Sequence, residues 1–255
     1  MPPVTPNLVL TTLLIGISSL NEAKADNQLE PLMAVPDQVA LKQDFETPFD
    51  LKKEKETWIQ RQATRWAVED GFLHGQPSSA ENQAAKSHHK GLEARLSIPA
   101  TPPECIAKFS IRFLEGEETA IVPFVEFGHH IIRVRFNSKE GVSLLADYES
   151  MKIAEDKTFI YQPGEWIHML AELKGDEFVV QIKDGPTLFG KHPIIPSPAP
   201  SGGNGFGTAG LRGGKVEIDN LILWTVKKEA QPGWEARLAE FPTFEPVQIR
   251  EKPKK

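Results

Sequence analysis

The residue types best suited to binding or proton transfer are concentrated between positions 126 and 149. His130, Arg133 and Arg135 lie in a stretch of alternating polar and apolar residues, which places both arginines on one face of a strand. Two neighbouring guanidinium groups can form paired hydrogen bonds with a carboxylate or a sulfate, so this cluster is predicted to bind an acidic sugar. Ordinary cross-strand ion pairs with Glu126 or Glu172 are the alternative.

Three acidic residues near this cluster are candidates for general acid or base catalysis. Glu126 lies in a predicted strand, and Asp147 and Glu149 flank Tyr148 where another predicted strand ends. Carboxyl groups can transfer protons or accept hydrogen bonds from sugar hydroxyls. For the last two residues, solvated carboxylates in a loop are the simpler interpretation.

Trp166 and His168 form a second candidate binding surface. They are two positions apart in a predicted strand and therefore share one of its faces. An indole ring can stack on a sugar ring, which would make Trp166 a binding residue. Packing in the core is the alternative for the same side chain.

The histidines also raise the question of a metal site. His88 and His89 are adjacent, and His74 or His192 could join them as imidazole ligands. No third ligand follows at a spacing typical of metal sites, so the sequence predicts no metal and no cofactor.

Composition excludes several function classes. The net charge is −6 and the pI is about 5.7, so the chain has no basic footprint for nucleic acid. It has no Gly-x-Ser-x-Gly elbow, phosphate-binding loop or dinucleotide glycine fingerprint. The single cysteine, Cys105, rules out an intrachain disulfide and lies in a core pattern, where a thiol is inert.

The elements that must position these residues are strands. Residues Cys105 to Phe113 alternate strictly, and Asp70-Gly71 is a favoured two-residue hairpin turn. The stretch Gly205 to Val226 is predicted to be a late central strand that pairs with residues Val39 to Phe45. We expect a hairpin turn at Gly213-Gly214 and a bulge at Asp219-Asn220.

About ten to twelve short strands separated by turn signals predict an all-β fold. The expected architecture is a two-sheet antiparallel β-sandwich of the jelly-roll type. No segment between Val39 and Val226 has helical periodicity, and residues 77–90 are predicted to form a loop. One sandwich domain is predicted to occupy residues 39–226.

The ends of the chain differ from this domain. An apolar run from Leu8 to Leu20, followed by Ala23-Lys24-Ala25, predicts a signal peptide over residues 1–25 and a secreted or periplasmic protein. The run is shorter than the roughly 20 residues of a membrane span, so no span is expected after cleavage. Residues 26–38 are predicted to form a disordered lead-in.

The C-terminal segment, residues 227–255, is predicted to contain a short helix and a charged tail. Trp234, Leu238 and Phe241 form an apolar stripe at helical spacing. The helix is expected to dock on the sandwich, and binding of a protein partner through the same stripe is the alternative.

Several fragments between residues 39 and 226 resemble the concanavalin A-like jelly-roll superfamily. Among its members, they resemble the secreted bacterial 3-keto-disaccharide hydrolase family and its non-catalytic laminin-G-like relatives. The matching fragments are Asp44-Phe45, Trp66-x-Val68-x-Asp70-Gly71-x-Leu73-x-Gly75, Gly164-Glu165-Trp166-Ile167-His168, Gly175-Asp176-x-Phe178-x-Val180, Gly190-Lys191-His192-Pro193 and Val216-x-Ile218-Asp219-Asn220-Leu221.

The resemblance implies a carbohydrate-related role. It also implies a structural calcium ion, as in some relatives, but Asp44 and Asp219 alone supply too few oxygens for one. The Glu-x-Asp-x-Glu triplet of glucan-cleaving relatives is absent, so no catalytic residue carries over. We therefore expect non-catalytic binding of a glycan or glycoside, with a keto-disaccharide hydrolase and a cell-envelope interaction protein as alternatives.

Overall fold

The computed structural model describes residues 29–196 and 205–249. The predicted signal peptide lies outside these residues. In chain order the strands are β1 (Ala34–Gln43), β2 (Ile59–Gln60), β3 (Arg65–Glu69), β4 (Phe72–Gln76), β5 (Glu93–Ile98), β6 (Cys105–Phe113), β7 (Phe124–Phe127), β8 (Ile132–Asn137), β9 (Gly141–Ala146), β10 (Met151–Asp156), β11 (Ile167–Lys174), β12 (Glu177–Ile182), β13 (Thr187–Lys191), β14 (Phe206–Arg212), β15 (Val216–Ala230) and β16 (Val247–Gln248). The α-helices are α1 (Ala80–Ala85) and α2 (Trp234–Arg237), and the 3-10 turns are Arg61–Ala63, Asp147–Glu149 and Leu238–Glu240.

The strands form two antiparallel sheets, which confirms the predicted β-sandwich. Sheet A has the order β13-β12-β11-β6-β15-β4-β3, and β1 also pairs with β15. Sheet B has the order β16-β10-β9-β8-β7-β14-β5-β2. The core lies between the sheets, where Phe109 of sheet A meets Phe206 of sheet B with ring centroids 4.8 Å apart.

Strand β15 is central to sheet A, as predicted. One edge pairs with β6, and the other pairs first with β4 and then with β1. In the pairing of β1 with β15, Val39 lies opposite Trp224 and Gln43 lies opposite Leu221. The predicted bulge is confirmed, because the register with β6 shifts after Asp219 and Asn220 has a φ of 51°.

The two predicted turns have different outcomes. Asp70 and Gly71 have φ values of 50° and 77° and join β3 to β4, which confirms the hairpin. The prediction for Gly213-Gly214 is wrong, because β14 belongs to sheet B and β15 to sheet A. The pair instead carries the chain from one sheet to the other, and a Cβ on Gly214 would lie 2.2 Å from the Glu115 carbonyl oxygen.

The chain between Val39 and Val226 departs from two further predictions. The loop predicted over residues 77–90 contains α1, which Ser79 caps by accepting a hydrogen bond from the Asn82 amide at 3.2 Å. This helix is too short for an apolar stripe to reveal it in the sequence. The helix also departs from the expectation that no segment between Val39 and Val226 is helical.

The predicted disordered lead-in over 26–38 is wrong in its second half. Strand β1 begins at Ala34, and Met33 is fully buried. The carboxylate of Glu172 accepts hydrogen bonds from the backbone amides of Leu32, Met33 and Ala34 at 2.7 to 2.9 Å. A buried carboxylate in sheet A therefore holds the start of the first strand.

The C-terminal segment packs on the sandwich, which confirms the docking interpretation. Trp234 and Phe241 contact Phe189 of β13 with ring centroids 5.8 and 5.3 Å away. The predicted boundary at 226 is too early, because β15 continues to Ala230 and β16 extends sheet B beside β10. Within the described ranges, no helix is long and apolar enough to cross a membrane.

Candidate functional site

A groove of about 1350 Å³ lies on the outer face of sheet B. Glu126 of β7 is directly opposite Arg133 of β8, and Arg133 is opposite Leu145 of β9. Side chains of a strand alternate between its faces, so these three share the surface that points away from the core. Asp147 follows β9 in a 3-10 turn and also lines the groove.

Arg133 links the two carboxylates. Its Nε donates to Glu126 Oε2 at 2.8 Å, and its Nη1 lies 2.9 Å from Asp147 Oδ2. The guanidinium carbon also lies 4.0 Å from the centre of the Phe124 ring, which supports it from the side. Only 3% of Arg133 and 5% of Glu126 are exposed, so one buried cation lies between two acidic groups.

Two histidines extend this cluster toward solvent. His129 Nδ1 lies 3.0 Å from Glu126 Oε1, and His130 Nδ1 lies 2.6 Å from Asp147 Oδ2. An ionised carboxylate only accepts hydrogen bonds, so each Nδ1 must carry the proton. Arg133 Nη2 lies 3.0 Å from His130 Nδ1, and a protonated Nδ1 cannot accept from it. We call Glu126, His129, His130, Arg133 and Asp147 the acid–histidine cluster.

The turn between β7 and β8 presents both imidazoles. Gly128 and His130 have φ values of 69° and 65°, and the amide of Ile131 donates to the carbonyl of Gly128 at 2.9 Å. The His130 carbonyl accepts from the Tyr148 amide at 2.8 Å, which ties this turn to the turn after β9. Two loops at one end of the sheet are thus held in a fixed relation.

The neighbouring strand makes room for the buried acid. Gly207 of β14 is opposite Glu126, and a Cβ on Gly207 would lie 3.3 Å from Glu126 Oε1 and 3.1 Å from the Leu96 carbonyl oxygen. Those separations are tighter than most real Cβ contacts, so a side chain there would press on the carboxylate. Glycine at this position lets Glu126 lie over the strand.

Both carboxyl groups of the cluster are stabilised as anions. Burial alone raises the pKa of Glu126, but the hydrogen bond with His129 and the charge of Arg133 outweigh it and lower the pKa to about 2. Burial likewise opposes ionisation of Asp147, and His130 and Arg133 together lower its pKa. Neither group is therefore a proton donor at neutral pH.

These pKa shifts predict an acid-sensitive fold. A carboxyl group whose folded pKa is lowered stabilises the fold above its unfolded pKa and loses that contribution as pH falls toward the folded pKa. For Glu126 the loss is expected as pH falls from 4.5 toward about 2. Glu126→Gln, which keeps the shape without the charge, should therefore be less stable than wild type at neutral pH. Thermal unfolding of both proteins should show this difference shrinking by about pH 3; a difference independent of pH would contradict the prediction.

The sequence-predicted residues near this cluster are only partly brought together. Glu126, His130, Arg133 and Asp147 meet as described, and the ion pair with Glu126 confirms one alternative for Arg133. Arg135 lies in a separate small pocket, where its nearest ionic partner is Glu140 at 3.8 Å. Glu149 is in the 3-10 turn but does not line the groove.

The second predicted binding surface is on the other sheet. His168 is exposed on β11 of sheet A, where its Nδ1 lies 2.8 Å from Ser110 Oγ. Trp166 is half-buried, and the guanidinium carbon of Arg112 lies 4.6 Å from the centroid of the Trp166 ring. The interpretation that Trp166 packs in the core is therefore wrong. A single ligand in the groove cannot contact both surfaces.

The possible metal ligands are distributed over different elements. His88 and His89 line the groove, whereas His74 on sheet A lies 3.0 Å from Glu217. Burial and the charges of Glu46 and Asp44 raise the pKa of Asp219. In the part of the chain that the structure describes, no three His, Cys, Asp or Glu side chains are placed to hold a metal ion.

The thiol of Cys105 is fully buried, which raises its pKa to about 12.

The groove also contains a cationic half that the sequence did not reveal. Its members are Arg61, Lys90, Arg95 and Arg212. They come from the turn after β2, the loop before β5, β5 itself and the end of β14. No motif joins these four positions in the sequence, so only the strand order of sheet B could have identified them.

Comparison with known proteins supports the fold. A GlcNAcα1-4Gal-releasing endo-β-galactosidase from Clostridium perfringens has a TM-score of 0.51 and 11% identity, over 78% of this chain and 66% of that one. The endo-β-1,3(4)-glucanase SCLam of family GH16 has a TM-score of 0.49 and 10% identity over 78% and 95%. The carbohydrate-binding module CBM66 from Bacillus subtilis has a TM-score of 0.41 and 11% identity over 66% and 96%.

Of these three superpositions, the first is close enough to support the jelly-roll architecture, and an identity this low shows a shared fold alone. No family model matches the sequence. No curated protein matches it either. The two-sheet jelly-roll sandwich is therefore supported by the structure, and the resemblance to the concanavalin A-like superfamily and to 3-keto-disaccharide hydrolases stays a prediction from the sequence fragments.

Proposed function

We propose that this protein binds a glycan or glycoside in the groove on sheet B without cleaving it. The observation that carries the proposal is the groove itself, which is large, open and lined by fixed polar side chains. The acid–histidine cluster offers carboxylate and imidazole groups that can hydrogen-bond sugar hydroxyls. Tyr148, which is 54% exposed at the same groove, offers an aromatic face for a sugar ring.

The protonation states of the cluster favour binding over glycoside hydrolysis. Glycosidases of the usual kind need one carboxylic acid with a raised pKa to protonate the leaving group. The pKa values of Glu126 and Asp147 are both lowered, and Arg133 holds both side chains as anions. The acid–histidine cluster therefore offers acceptors for hydroxyl groups but no carboxyl proton.

One observation favours an enzyme as the second candidate. His129 and His130 are each oriented through Nδ1 by a carboxylate, and no hydrogen bond to either Nε2 is found among the described residues. A carboxylate-oriented imidazole can act as a general base. A hydrolase acting on a keto-disaccharide would use this arrangement, and release of free sugar that is lost in His130→Gln would support it.

Glycan binding is tested directly by titrating the purified protein against neutral, uronic and sulfated oligosaccharides. We expect Tyr148→Ala to weaken binding of a recognised glycan about fivefold to tenfold, because it removes an aromatic stacking surface worth about 1 kcal/mol. Trp166→Ala, on sheet A, is the matched control and should leave the affinity unchanged. Failure of every oligosaccharide to bind would overturn the proposal.

We further propose that the protein acts outside the cytoplasm. The support is the apolar run and small-residue pattern within residues 1–25, which precede the described residues. N-terminal sequencing of the protein recovered from the periplasm or the medium tests this proposal, and a mature chain that still begins at Met1 would contradict it.

A further inference from the structure

The groove on sheet B has an electrostatic polarity that points to the class of glycan it takes. Five cationic and three acidic side chains line it, which gives a net charge of +2 with neutral histidines. The whole chain carries a net charge of −6. A groove of net positive charge on a negative protein attracts anionic ligands.

The acid–histidine cluster lies in one half of the groove, and the other half holds Arg61, Lys90, Arg95 and Arg212, together with Glu93, which pairs with Arg95. Glu126 is two strands away from Ser97, through Gly207 of β14. Neighbouring strands are about 4.8 Å apart, so the acid–histidine cluster and the outer face of β5 are separated by about 10 Å. One half of the groove is suited to hydroxyl groups and the other half to negative charge.

Three of the cations have no acidic partner in the described part of the chain. Arg61 donates from Nε to the neutral hydroxyl of Ser97 at 3.0 Å. Lys90 and Arg212 form no side-chain ion pair with a described residue, whereas Arg95 pairs with Glu93 at 3.4 Å. Unlike Arg133, these three cations can pair with a ligand without giving up an acidic partner.

The strand geometry places two of these cations at opposite ends of a row. Arg61 is held at Ser97, and Arg212 is opposite Glu93 in the register of β14 with β5. Four residues of a strand span about 13 Å, so the strand positions at which these two side chains are held lie roughly that far apart. A row of this kind matches acidic groups repeated along a chain.

We propose that the ligand of this groove is an acidic glycan whose carboxylate or sulfate groups are bound by Arg61, Lys90 and Arg212. This inference rests on the proposed glycan-binding function and adds the substrate class. It replaces the predicted acid-binding pair Arg133 and Arg135, because Arg133 is already paired with two carboxylates of the protein itself and Arg135 lies in a separate pocket. Sugar hydroxyls are then bound by the acid–histidine cluster.

Calorimetric titration with three probes tests the proposal: an oligogalacturonate, its neutral methyl ester, and a sulfated galactan oligosaccharide. We expect at least one acidic probe to bind at least about tenfold more tightly than the ester, since a hydrogen bond to a charged group is worth about 1.5 kcal/mol or more. Binding of the acidic probe should also weaken as salt is added. Preference for carboxylate or for sulfate identifies which acidic group the row accepts.

The double variant Arg61→Gln/Arg212→Gln should abolish the preference for the acidic probe and leave the weaker binding of the ester intact. Lys139→Gln/Lys228→Gln removes the same charge from exposed positions outside the groove and should keep the preference. Thermal unfolding of both variants checks that they fold. Equal binding of the ester and the acidic probes, or an unchanged preference in the arginine variant, would overturn the inference while leaving glycan binding in place. Failure of all three probes, together with the neutral panel, would instead refute glycan binding.

Discussion

Arg133→Met is expected to lower the free energy of unfolding by about 3 to 5 kcal/mol, which is the usual cost of breaking a buried ion pair from one side. Methionine fills a similar volume but leaves Glu126 and Asp147 without the cation that both contact. Two carboxylates would then face each other in a poorly solvated site. Urea unfolding at neutral pH measures this loss.

Two further variants show whether the loss comes from charge. Arg135→Met removes a guanidinium from the same strand face, but its ionic partner is 3.8 Å away and largely exposed, so we expect a cost below about 1 kcal/mol. The triple variant Arg133→Met/Glu126→Gln/Asp147→Asn removes all three charges and should recover part of the stability. A small loss in the first variant, or no recovery in the triple, would show that Arg133 is not a structural cation.

Glu172→Ala is expected to be destabilising to a similar degree, by about 2 to 5 kcal/mol. The carboxylate accepts three backbone hydrogen bonds, and its donors on Met33 and Ala34 are fully buried. A buried donor left without a partner costs about 1 to 3 kcal/mol. Burial raises the pKa of Glu172, and the three amide donors oppose that rise.

The effect of Glu172→Ala should be local as well as global. Hydrogen exchange of residues 32–36 and of their partners near Val226 and Ala230 should accelerate first, because β1 loses the anchor at its start. Glu104→Ala is the matched control, since Glu104 accepts one exposed amide hydrogen bond, from Gly175 at 2.8 Å. Equal costs for the two variants would contradict the anchoring role of Glu172.

The alternation of side chains made much of the architecture predictable. Residues Cys105 to Phe113, whose strict alternation predicted a strand, became β6. Asp70-Gly71 formed its hairpin, because the turn depends on backbone conformations that these two residues favour locally. Each of these features is encoded within about ten consecutive residues.

Predictions failed where the outcome depended on distant partners. Gly213-Gly214 has the composition of a hairpin turn, yet the strands on either side joined different sheets. The lead-in before Val39 looked too polar to pack, but the Glu172 carboxylate, about 140 residues away, binds its backbone. The composition of a segment describes its side chains. It does not indicate whether the backbone amides of that segment will bind an acceptor far away in the sequence.

The sequence by itself determined the β-sandwich and the central late strand, and it named Glu126, His130, Arg133 and Asp147 as candidate site residues. It could do so because strand periodicity assigns each side chain to a face, and three of these four residues lie within eight positions. Only the tertiary structure decided that Arg133 is buried between two carboxylates and that Arg61, Lys90 and Arg212 line the same groove. The order of strands in a sheet is set by packing and pairing over the whole chain, and no local pattern of residues records it.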